Sequence, residues 1–205
     1  MIMELLVPIV IAIITSVVGP AIVEWVKKRR ENKPKDPLGD AIQHNEVIEQ
    51  QLDAMLNELD CNQIYIAQFH NGGHFYPTGK SIQKFSIFYE VTTPDAPSIK
   101  GIFQNIPASL FSKPLALLYE KGEIAVEDTI TMSADLGLES FCPNHTYKSV
   151  YLLTLTDLDG RIIGVMGIYY TERKHKITKD EWIFIRQKIG AIGNLLSNYL
   201  NNKKN

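Results

Sequence analysis

Apolar residues recur along this chain in three rhythms, and each rhythm predicts a different kind of element. Leu5 to Val23 is an uncharged run of nineteen residues, about the length a helix needs to cross the hydrocarbon core of a bilayer. Pro8 and Gly19-Pro20 predict a kink in that helix, and Thr15, Ser16 and Gly19 put small residues near one face, which permits helix association. Two later stretches have spacings of three and four. In Asp40–Leu59 the residues Ile48, Leu52, Met55, Leu56 and Leu59 form a dry stripe, with Gln43, Glu46, Glu49, Gln50 and Asn57 on the wet side. In the last helix Trp182, Ile185, Ile189, Ile192, Leu196 and Leu200 form a second stripe.

The third rhythm is that of strands, dense in β-branched and aromatic residues. It predicts strands over Asn62–His70, Phe85–Val91, Glu123–Glu127, Tyr147–Thr156 and Ile162–Thr171. Asn71-Gly72-Gly73 is read as the turn that ends the first of these. Asp159-Gly160 is a hairpin signal between the last two, because glycine accepts positive φ without a Cβ clash. Gly164 and Gly167 leave room on the returning strand for close packing. Thr178-Lys-Asp-Glu181 has the spacing of a capping box, with Ile177 and Trp182 at the staple positions. Between the second and third strands, Ile106–Ser109 looks like a helix start and Leu110–Glu120 like one or two short helical pieces broken at Pro114. Thr129 to Phe141 reads as a loop with a short helix.

Charge orients this plan. Lys27, Lys28, Arg29 and Arg30 follow the apolar run at once, and none precedes it. A signal peptide would have the reverse order, so the segment reads as an uncleaved single-pass anchor, with the domain behind it cytoplasmic. The organisation expected is therefore an anchor over 1–26, a basic Pro-containing linker over 27–39, one domain over 40–201 and a polar tail over 202–205. A net charge of −2 in 205 residues argues against nucleic acid as a partner. Cys61 and Cys142 stand far apart without CxxC spacing and read as two buried, reduced thiols in a cytosolic domain, or as a single disulfide if the domain faces an oxidising compartment.

The block from Tyr147 to Leu200 resembles the C-terminal half of a GAF domain, a sensory fold related to PAS. The residues that carry the resemblance are Ser149-Val150, Gly160-Arg-Ile-Ile-Gly164-Val-Met-Gly167, Thr178-Lys-Asp-Glu181 and Ile189-Gly190-Ala191. The resemblance implies an α+β fold with a central antiparallel sheet between N- and C-terminal helices. It also implies ligand binding between the sheet and the segments from Ser98 to His145, and dimer contact through the two terminal helices. The phytochrome-type chromophore cysteine and any output module are missing, so no cofactor is expected.

The chemistry concentrates between the first two strands, in His70-Asn71-Gly72-Gly73-His74-Phe75-Tyr76-Pro-Thr-Gly79-Lys80-Ser81. Four readings apply. His70 and His74 with Cys142 and His145 are four ligands of a type zinc accepts, but Gly72-Gly73 breaks the helix that would align the first pair. Gly79-Lys80-Ser81 resembles the end of a phosphate loop, but His74 stands where that motif needs glycine. Phe69, Phe75 and Tyr76 with His70, Asn71, Ser81, Lys84 and Glu90 would form an apolar cup with a few polar groups, the usual make-up of a ligand pocket. Alternatively, the segment is a glycine hairpin whose polar side chains satisfy its own backbone. No paired carboxylates and no nucleophile beside a base stand out, so no catalysis is expected. The expected function is a membrane-anchored, non-enzymatic regulatory module for a small ligand or protein partner, working as a homo-oligomer. The layout is also similar to phage holins with a soluble regulatory domain, although those place the domain outside the cytoplasm, against the order of charges here.

Overall fold

The computed structural model describes residues 19–20, 22–25, 36–74, 77–133, 136–138 and 146–201. The chain divides into two compact units, 1–41 and 42–205. In the first, Ile22 to Trp25 is helical, with Ile22, Val23 and Trp25 exposed. Most of the apolar run read as an anchor, and the flank Lys27, Lys28, Arg29 and Arg30, lie outside the described residues. Among the described residues no helix is long and apolar enough to cross a membrane.

The second unit is built on a six-stranded antiparallel sheet. Its elements are helix α1 (Pro37–Leu59), β1 (Gln63–His74), β2 (Ser81–Thr92), β3 (Ile106–Pro107), α2 (Ser112–Lys121), β4 (Glu123–Val126), β5 (Ser149–Thr156), β6 (Ile162–Tyr170) and α3 (Lys179–Asn201). The strand order is β3-β2-β1-β6-β5-β4, so the first hairpin and the last lie side by side at the centre. Both faces of the sheet are covered, which is why the first half of β1, Ile64-Tyr-Ile-Ala67, reads as a continuous apolar run.

Period-2 alternation sorts the side chains between two cores. On one face Ile64, Ile66, Leu153, Leu155, Met166 and Ile168 meet Ile48, Leu52 and Met55 of α1 and Ile185, Ile192 and Leu196 of α3. On the other, Tyr65, Ala67, Phe85, Ile87, Leu152 and Val165 meet Phe103, Phe111 and Leu118 from the intervening segments. Each such side chain, fully buried, contributes about 1.5–3 kcal/mol. The helices α1 and α3 touch where the His44 ring stacks on Tyr199 at 4.3 Å and where Lys188 Nζ donates to Gln51 Oε1 at 2.8 Å.

Several local expectations meet their physical counterparts. Asp157 Oδ1 accepts from the amides of Asp159 and Arg161, and Gly160 has φ 78°, closing the β5–β6 turn. Glu181 N–H donates to Thr178 Oγ1 and Thr178 N–H to Glu181 Oε2, the reciprocal bonds of the capping box. Gly164 and Gly167 face the Ala67 carbonyl and the Tyr65 ring, each within 2.4 Å of where a Cβ would sit.

Two local expectations are corrected. Asn71-Gly72-Gly73 does not turn the chain: β1 runs on to His74 through an irregularity in its pairing with β2, so the hairpin is longer and projects further. Pro114 does not break the helix. It lies in the first turn of α2, where the missing N–H would have no intrahelical partner. A short 3-10 turn, Ala108–Phe111, precedes it.

Candidate functional site

The extended hairpin separates the residues that sequence grouped together. Asn71 pairs with Gln83 and His70 with Lys84, so the two pairs point to opposite faces of the sheet. On one face Asn71 Oδ1 accepts from Ser81 Oγ at 3.1 Å and from Gln83 Nε2 at 3.3 Å. On the other, His70 Nε2 lies 2.9 Å from Ser86 Oγ, and the Lys84 stem lies over Gly72, where a Cβ would come within 2.2 Å of it. His74 is exposed beside Gly73 at the end of the strand. Phe75 and Tyr76 lie outside the described residues, as do Cys142 and His145. Among the described residues no group of three or more His, Cys, Asp or Glu comes together to hold a metal.

Glu90 stands at the far end of β2, paired with Tyr65, and its carboxylate is fully engaged. It accepts from Gln63 Nε2 and the Ile99 amide, both at 2.8 Å, from the Lys100 amide at 3.1 Å and from the Ser98 hydroxyl. These bonds pin the 94–100 loop across the sheet, so Glu90 is a clamp on the wall of the second core.

The concavity that sheet and helix build together lies between α2 and the sheet end nearest the long hairpin. Phe69, Thr154, Ile162 and Val165 of the strands and Leu115 and Leu118 of α2 line it with half-buried Ala108, and the exposed Gln83 and Tyr119 stand at its rim. Its volume is about 310 Å³. A narrow crevice of about 10 Å³ leads from it toward Tyr65, Ala67 and Phe85 in the second core. The local sequence accounts for this shape. The 3-10 turn and the Pro114 start set α2 over the strands, and Gly122 ends it with its N–H on Leu118 O at 2.8 Å. Thr154 Oγ1 donates to Gly122 O at 3.1 Å and ties that end to β5.

Two other depressions lie against loops and edges. One, about 540 Å³, runs along 94–99 beside Thr146 and Tyr147; the other, about 320 Å³, lies by Lys121, Glu123 and Arg186. Arg186 there already pairs with Glu123 at 3.1 Å.

The groove shares little with the set picked from sequence. Of those residues, Phe69 lines it, and Asn71 and Ser81 reach it only through their bonds to Gln83. Leu115, Leu118, Tyr119, Thr154, Ile162 and Val165 were missed. The signal available was the alternation in β2, which puts polar Gln83 on the same face as Phe85 and Ile87.

No protein-family model matches this sequence, and no curated protein matches it. Solved structures do. The GAF3 domain of a Synechocystis sp. PCC6803 protein, in its photoproduct state, aligns with a TM-score of 0.60 at 14% identity, over 79% of this chain and 99% of that one. The phycocyanobilin-bound GAF domain of a cyanobacterial phytochrome aligns with a TM-score of 0.60 at 11% identity, over 91% and 97%. A GAF domain/HD domain protein from Geobacter sulfurreducens gives 0.57 at 13% identity, over 79% and 97%. At such identities the likeness is one of fold: an α+β fold of the GAF kind.

Proposed function

We propose that this chain is a non-enzymatic sensory module of the GAF type, which takes a small ligand between α2 and the sheet. The groove is the observation that carries this reading. It is lined by side chains from both layers, and among the described residues that line it there is no His, Cys, Asp, Glu, Lys or Arg. Such a lining suits binding and offers no strong acid, base or nucleophile for catalysis.

In this reading the module is held at a membrane by the uncharged run Leu5–Val23, with Lys27–Arg30 keeping the domain on the cytoplasmic side. Two copies associate through their terminal helices. Support comes from the outward face of α3, where Ile183, Gln187, Gly190, Ala191, Asn194 and Asn198 form an exposed uncharged strip, bordered at its start by the exposed Lys179, Asp180 and Arg186. Ligand occupancy would then be read by a partner protein through the same pair of helices.

Topology is tested by labelling in intact cells. Cys61 is only 2% exposed, so Lys80→Cys, in the exposed hairpin turn, is the better reporter against the wild-type background. Labelling only after permeabilisation supports the anchored cytoplasmic module. Labelling from outside would overturn it in favour of a holin-like lysis protein.

A further inference from the structure

We infer that the ligand of the α2 groove is a small, uncharged, largely apolar molecule with a single hydrogen-bond donor, such as a phenol or an indole. This rests on the ligand-site reading above and narrows it to one chemical class. Three observations carry it. The first is the lining: among the described residues it is aromatic and aliphatic apart from Gln83 and Thr154, and none of those side chains is charged. An ionised carboxylate or phosphate placed there would lose hydration with no cation to replace it.

The second is size. About 310 Å³ is at the small end for ligand sites, and the crevice behind it admits no more than a group the size of one water. A linear tetrapyrrole, with its length and its ionised propionates, finds neither room nor a counter-charge among the described residues. The space it would need deeper in the core is filled by Tyr65, Phe85 and Phe111, whose rings pack edge to face in the last pair at 5.3 Å.

The third is the placement of one acceptor. Gln83 Nε2 is held by Asn71 Oδ1 and Ser81 Oγ, both at 3.3 Å. With Asn71 Oδ1 as the acceptor of both the Ser81 hydroxyl and the Gln83 amide, the N–H end of Gln83 turns to the hairpin. The Gln83 carbonyl oxygen is left at the rim, available to an O–H or N–H from a molecule in the groove. The polar hairpin thus orients one side chain and does not itself enclose a ligand.

The test uses the full chain in lipid nanodiscs with a matched pair of probes, 2-naphthol and 2-naphthoate, which share a ring system and differ in charge at neutral pH. Binding is read as the rise in unfolding temperature with probe concentration. Ala108→Trp, which fills the groove, corrects for partition into lipid. The expected result is saturable stabilisation by 2-naphthol that Ala108→Trp removes, with 2-naphthoate weaker by about ten-fold or more. Gln83→Lys, at an exposed position, should reverse the preference.

If both probes stabilise equally, and both effects vanish in Ala108→Trp, the site stands and the inferred class falls. If neither probe distinguishes wild type from a folded Ala108→Trp, the site reading itself falls. If Ala108→Trp instead changes the sedimentation of the protein, the groove is covered by a second copy and the inference is overturned. Should Ala108→Trp not fold, Gln83→Lys decides alone, and an unchanged preference refutes the assignment.

Discussion

At three glycines among the described residues a Cβ would run into backbone or a packed ring. A Cβ at Gly164 would lie 2.4 Å from the Ala67 carbonyl oxygen, and one at Gly193 would lie 2.4 Å from that of Thr156. Neither neighbour is a flexible side-chain end, so Gly164→Ala and Gly193→Ala should each destabilise by about 1–3 kcal/mol in urea unfolding. At Gly167 the neighbour is the Tyr65 ring, whose hydroxyl lies 2.9 Å from that of Tyr169, so relief there would disturb a buried pair. Thr178 and Glu181 act in the opposite sense, by satisfying amides that the start of α3 leaves open. Burial opposes ionisation of Glu181, but the Thr178 amide and hydroxyl and the neighbouring His175 hold its carboxyl below the usual value. Thr178→Ala should cost about 1 kcal/mol, measured by thermal unfolding.

The first hairpin and the last helix differ in what they can tolerate. In the hairpin, His74 is exposed and its loss should be neutral, within about 0.5 kcal/mol. His70→Ala removes the bond to Ser86, whose Oγ also accepts from the Asn105 amide at 2.8 Å, and should cost about 1 kcal/mol. Equal effects of the two substitutions on stability would refute this division. On α3, nothing lies within 4 Å of a Cβ at Gly190. Gly190→Arg should therefore leave the monomer folded while splitting the proposed dimer, as sedimentation would show; a dimer that survives it pairs through another surface. Among elements, the strand and helix rhythms of β5, β6 and α3 were legible from sequence because each capping and turn residue acts on its immediate neighbours. The ends of β1 and β2 were not. Gly72-Gly73 signals a turn locally, yet pairing with Gln83 and Ser81 across the hairpin carries the strand past it.

Across the molecule, buried titratable groups set the pH range in which the fold is stable. Burial pushes the Cys61 thiol up to about 12 from 9.0 and the Tyr89 phenol up to about 12 from 10.0. The folded chain holds these protons more tightly than the unfolded one, so the stabilisation is complete below about pH 9 and drains away toward pH 12. Burial lowers His44 below 6.5, and its buried Nε2 has no hydrogen-bond partner among the described residues. The unfolded chain binds that proton more tightly, so stability falls as pH drops below 6.5. Urea midpoints measured across pH should show both limbs, and His44→Phe should flatten the acid one.

Local chemistry was enough to give the two terminal amphipathic helices, the Asp-Gly hairpin and the capped start of α3, because periodicity and caps act within a few residues. The fold class came from the resemblance of Tyr147–Leu200 to a GAF domain. The charge order around the uncharged N-terminal run likewise rests on sequence alone. Tertiary structure decided the site. Phe69, Leu115 and Val165 come together from strands and a helix far apart in the chain, and only the packing of α2 on the sheet makes them one groove. It also decided that Glu90 clamps a loop and that Asn71 and His70, adjacent in sequence, serve opposite faces. A side chain's direction in a strand depends on register, and register is settled by pairing with residues that lie elsewhere in the sequence.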